Sequence, residues 1–150
     1  MADSVSHSVW VRDKAIFLRR LMVELAGDAR ISFEGDLSEY QFPIDLGESG
    51  EETEILKRNT IAPRSDFAVL PLTRETVFPI LSQVVRGARP LTISGKIIHV
   101  QIEREGVLEL GAYDNFHREC VVTGPGVSAA ILEQMKTEKM LRDFKAVAKR

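Results

Sequence analysis

Residues 96–114, KIIHVQIEREGVLELGAYD, constrain the fold more than any other stretch of the chain. Apolar and polar side chains alternate on both sides of Glu105-Gly106, and a period of two belongs to paired strands. A one-residue slip would turn every side chain to the opposite face, so the pattern itself argues the register. A two-residue loop at Glu105-Gly106 sets Ile102 opposite Glu109 and mixes apolar with charged groups. A three-residue loop, Arg104-Glu105-Gly106, sets Ile102 opposite Leu108, Val100 opposite Leu110 and Ile98 opposite Ala112. Gly106 then takes the left-handed position such loops require, and this register is expected. On the other face it sets His99 opposite Gly111, leaving open space beside the imidazole. RECVVTG, residues 118–124, continues as a third strand of the meander.

The rest of the chain supplies elements to pack on this sheet. Residues 9–26 read as an N-terminal helix with Trp10, Phe17, Leu21 and Leu25 near one face, capped by Ser8 or Asp13 and stopped by Gly27. Arg19 and Arg20 read as a solvated pair at its edge. Residues 29–35 alternate as a half-buried strand, with 37–42 as its hairpin partner and 54–61 as a third strand. Residues 66–72 are a buried strand ending near Pro71. A second helix covers 76–86, with Pro79 in its first turn. Ser128 caps a helix through Met135, and a last helix in 137–150 carries Leu141, Phe144 and Val147 as a tail. Runs of strands separated by single helices predict an α+β fold: an antiparallel sheet built from two meanders, with an N-terminal helix, a helix between the meanders and C-terminal helices. The core is expected to hold Phe17, Leu21, Ile31, Phe33, Val69, Leu81, Val100, Ile102, Leu108 and Leu110.

At 150 residues the chain fits a single globular domain, long enough to bury roughly two thirds of its unfolded surface. Residues 1–8 are expected to be disordered. One cysteine allows no internal disulfide, which fits a reducing, cytoplasmic setting. No run approaches the ~18 apolar residues of a membrane helix. Twenty basic against 22 acidic residues give a net charge of −2, so composition lends nucleic-acid binding no support. Residues 43–54 read as a mobile acidic loop carrying Asp45, Glu48, Glu51, Glu52 and Glu54.

YDNFHREC, residues 113–120, gathers side chains that enzymes and metal sites use. Asp114 and Asn115 are also favoured turn residues, because their side chains bond nearby backbone and tolerate left-handed geometry. The bland reading is a four-residue connection between strands. The functional reading joins Tyr113, His117 and Glu119 to His99 and Glu109 on one rim, a set suited to acid–base work or ligand binding. No H-E-x-x-H or C-x-x-C spacing accompanies them, so no metal or other cofactor is indicated. Cys120 stands before Val121 and Val122 in a strand, where a thiol is normally buried and inert.

Two functions follow. The first is a non-catalytic protein-binding domain of immunity, inhibitor or adaptor type, recognising a protein partner through a sheet face and the acidic loop. The second is a small enzyme or ligand-binding domain using His99, Glu109, Tyr113, Asp114, Asn115, His117 and Glu119. Apolar helix faces also allow a homodimer. The basic residues of 136–150 are interrupted by Glu138 and Asp143, which ranks a nucleic-acid role last.

Overall fold

The computed structural model describes residues 6–40, 42, 50–60, 65–87 and 91–147. In chain order these are β1 (His7–Val11), α1 (Lys14–Leu25), β2 (Ala29–Gly35), β3 (Asp66–Leu72), α2 (Val77–Val84), β4 (Val85–Arg86), β5 (Thr92–Ile93), β6 (Ile97–Arg104), β7 (Val107–Ala112), β8 (Val121–Thr123), α3 (Ala129–Thr137) and β9 (Leu141–Ala146). Seven strands form one sheet in the order β3-β2-β6-β7-β8-β1-β9. Every neighbouring pair is antiparallel. β4 and β5 make a separate ribbon. The fold is α+β, as the pattern predicts, but the expected details need correction at several places.

The expected N-terminal helix is two elements. HSVWV alternates as a strand, and Asp13 caps the true helix by accepting a hydrogen bond from Ile16 N–H (3.1 Å). β1 inserts between β8 and β9, so residues 7 and 8, expected to be disordered, are paired backbone. Residues 1–5 lie outside the described residues. The expected last helix is β9. Lys139, with φ at 64°, ends α3 in left-handed geometry and turns the chain back along β1. Leu141, Phe144 and Val147 are spaced by three, a helical interval, and the strand brings Leu141 and Phe144 to one face only because its pairing with β1 skips Arg142 at a bulge. Arg20 is no solvated bystander: it joins Glu24 and Glu138 in ion pairs and donates to Gln134, tying α1 to α3.

Neither 37–40 nor 54–60 is a strand. β2 pairs instead with β3 and β6, each over its full length. The β6–β7 hairpin also corrects the expected register. Glu105 and Gly106 both have positive φ (52° and 79°), so the loop has two residues in the geometry that matches strand twist. Arg104 then faces Val107 and Glu103 faces Leu108, but beyond a bulge Ile102 faces Leu110 and Val100 faces Ala112. Glu109 is the extra residue. The bulge removes the clash of patterns that argued for a longer loop, by skipping one residue rather than lengthening the turn.

The three helices cover one face. Phe17, Leu21, Leu81, Leu132 and Met135 pack there on Ile31, Phe33, Val100, Ile102 and Leu110. Of the expected core, only Leu108 is no more than half-buried. It lies with Val69 in a second cluster on the opposite face, beneath Leu56.

Candidate functional site

The outer face, away from the helices, is divided. One row of it, read from the strand registers, runs Ser32, Gln101, Gly111, Val122, Ser8, Lys145 across β2, β6, β7, β8, β1 and β9. Its first half is covered and its second half is open.

The cover is residues 50–60, which lie across it as a strap. Thr53 starts it with a turn, its hydroxyl accepting from the Ile55 and Leu56 N–H groups. Leu56 is fully buried on Phe67 and Val69. Glu34, buried at 1% exposure, accepts the N–H groups of Asn59 and Thr60, both at 2.8 Å. Gln101 donates to the Lys57 carbonyl (2.8 Å) and to Ser32 (3.1 Å). A buried carboxylate is tolerated when such donors replace water. Of the acidic residues expected in a loop here, Asp45 and Glu48 lie outside the described residues. Glu52 accepts the Arg58 N–H at 2.7 Å, and Glu54 is exposed.

His99 and Tyr113 belong to the same buried network. Their rings meet edge to face at 5.6 Å. The His99 Nδ1 accepts the Asp114 N–H (3.2 Å), which requires that Nδ1 carry no proton. The proton therefore sits on Nε2 and is donated to Thr60 Oγ1 (2.9 Å). Both ring nitrogens are engaged. Tyr113 donates to Gln101 (3.2 Å), and burial raises its phenol above the usual range, keeping that donor protonated. The space expected beside Gly111 is filled: a Cβ there would lie 2.7 Å from the Tyr113 hydroxyl.

Other members of the expected cluster point elsewhere. Glu109 is buried under the 124–126 turn, its carboxylate accepting the Gly126 N–H (2.9 Å). His117 and Glu119 are exposed, the Glu119 N–H donating to His117 Nδ1 (3.2 Å). Asp114, Asn115 and Phe116 are three successive residues at φ 52°, 55° and 61°, a costly run for side chains with a Cβ. It is held by the Asn115 N–H on Ile98 O (2.7 Å), the Asn115 side-chain N–H on Ile97 O (2.9 Å) and Lys14 donating to the Asn115 Oδ1. Phe116 is buried against Phe17. Among the described residues, no group of three or more His, Cys, Asp or Glu side chains is placed to hold a metal ion.

Cys120 shares this turn. Partial burial first, then the Asp114 charge and hydrogen bond and the Glu119 charge, push its thiol up. Iodoacetamide should therefore modify Cys120 more slowly at pH 8 than it modifies a free cysteine, with the rate midpoint displaced to higher pH. Asp114→Asn should speed the reaction. Equal rates in both variants would remove Asp114 as a cause.

The open half carries what the sequence pattern hid. Trp10 is 41% exposed, and the guanidinium groups of Arg118 and Arg142 lie 5.3 and 5.6 Å from its ring centroid. Trp10 and Arg118 line a cleft of about 360 Å³ with Ser8, Glu119, Asp143, Phe144 and Lys145, and Arg142 stands beside it on the indole. Asp143 pairs with Lys136 at 3.3 Å, and the Phe144 N–H, then Lys136, hold its carboxyl below the usual range. Read as strand, HSVWV would have put Trp10 opposite in phase to Val9 and Val11, which is the signal the helical reading missed.

Comparison of the chain with protein-family models, curated proteins and solved structures finds no match. No helix among the described residues is long and apolar enough to cross a membrane.

Proposed function

We propose that this chain is a non-catalytic protein-binding module that docks a partner on the open half of its outer sheet face. The observation that carries this reading is Trp10, left part-exposed and flanked by two arginines on a sheet whose other half is sealed. Tryptophan and arginine dominate the energetics of protein interfaces, because one buries a large rigid surface and the other adds planar, multidentate hydrogen bonding. The alternative, chemistry or ligand binding by the His99 cluster, has less support: both ring nitrogens of His99 are engaged within the fold, and Glu109 and His117 bond to other groups.

Native mass spectrometry of the chain purified gently from its host, beside Trp10→Ala, tests the proposal. The wild type should carry a second chain, and the variant should lose it, since a central tryptophan is commonly worth about 2 kcal/mol or more, roughly thirtyfold in affinity. Trp10→Ala should melt close to wild type because the side chain is exposed. A bare wild-type chain, or a partner retained equally by the variant, would defeat the proposal.

A further inference from the structure

We infer that the segment docking on the Trp10 face is an acidic stretch of polypeptide, read by Arg118, Arg142 and Lys145. This rests on the proposed binding role and names the partner's chemistry. The chain as a whole is slightly acidic, at −2, yet the charge around Trp10 has the other sign. Arg118, Arg142 and Lys145 are all exposed, and none of them makes an ion pair among the described residues. The acids nearby do not balance them. Asp143 pairs with Lys136 and also feels the Lys145 charge, so Asp143 and Glu119 are two acids among four cations.

Position adds to sign. Both guanidinium groups rest on the indole ring, so stacking limits their freedom while their N–H edges stay open to carboxylates. A carboxylate meets a guanidinium in paired, parallel hydrogen bonds. The Trp10 ring and the half-buried Val122 offer apolar surface beside those charges. Acidic side chains interleaved with apolar ones therefore fit the face. A nucleic-acid strand would meet the same charges, but it needs a basic track along its backbone. Here the basic area is local, and exposed Glu119 lies within it.

Trp10 is the only tryptophan in the chain, so its fluorescence reports this face directly. The full chain is titrated with hexaglutamate, hexalysine and a six-nucleotide thymidine strand. Hexaglutamate should shift the emission, bind more weakly as salt rises, and lose about fivefold in affinity for each arginine removed in Arg118→Ala and Arg142→Ala. Hexalysine should leave the emission unchanged. Both variants should melt like wild type, because neither side chain is buried. No response to hexaglutamate, or an equal response in the double variant, overturns the inference. Tighter binding of the thymidine strand than of hexaglutamate also overturns it, in favour of nucleic acid. The native co-purification separates the two failures: a partner lost with Trp10→Ala, but no hexaglutamate response, leaves the binding role standing and removes the acidic assignment.

Discussion

Glu34→Ala is expected to release the strap and cost on the order of 3 kcal/mol. The Glu34 carboxylate accepts the backbone N–H groups of both Asn59 and Thr60, and hydrogen bonds to a charged group contribute about 1.5–3 kcal/mol each. Removing it leaves two part-buried donors to find water, beside a cavity where the side chain stood. The loss should spread. Thr60 holds His99, and Lys57 holds Gln101, so the buried polar network loosens with the strap. Urea denaturation gives the stability change, and hydrogen exchange shows where it acts. Amides of Asn59, Thr60 and the Leu56 turn should exchange much faster, while those of β7 and β8 should change little. Glu34→Gln keeps an acceptor oxygen and should fall between the two. Unchanged exchange across the strap in Glu34→Ala would show that burial of Leu56 alone holds it down.

Gly35→Ala is expected to destabilise the fold by at least ~3 kcal/mol, or about 10 °C in melting temperature. Gly35 closes β2 at a bulge, where Glu34 faces His99 and Gly35 faces Ile97. Its φ of +146° belongs to glycine alone. A Cβ there would lie 2.1 Å from the Lys96 carbonyl oxygen and 3.0 Å from the Ile98 nitrogen. Both are backbone atoms, one just before the interior strand β6 and one within it, so neither can step aside without disturbing the ladder. Gly95→Ala is the control. That position has no atom within 4 Å and no left-handed φ, so its change should stay within about 0.5 kcal/mol. A Gly35→Ala variant as stable as Gly95→Ala would mean that the bulge can reorganise cheaply.

Much of the fold is legible in single residues. Asp13 and Ser128 each accept an N–H three residues on, as helix caps do. Gly106 marks the hairpin, and Pro71 lies in β3, an edge strand where a missing N–H is tolerated. Nine of the ten expected core residues are buried. These features are local: a cap, a turn or an alternation needs only neighbouring residues to express itself. The expected site is partly legible for the same reason. Asp114 and Asn115 do make a turn, and His99 and Tyr113 do meet.

What the local pattern left open was settled by distant partners. HSVWV is short enough to satisfy either period and LRDFKA has a helical spacing, yet they become strands because each completes the other's ladder, with a bulge at Arg142. Glu34 reads as a solvent-facing residue in an alternating strand. It is buried because a strap more than twenty residues later brings backbone donors to it. Trp10 reads as core on a helix and is exposed on a strand, since the change of period rotates it to the other face. The sequence by itself determined the elements whose hydrogen bonds close within a few residues, and with them the α+β class. Only the tertiary structure decided which face of the sheet was sealed and which stayed open, because that depends on contacts between segments far apart in the chain, which no local period encodes.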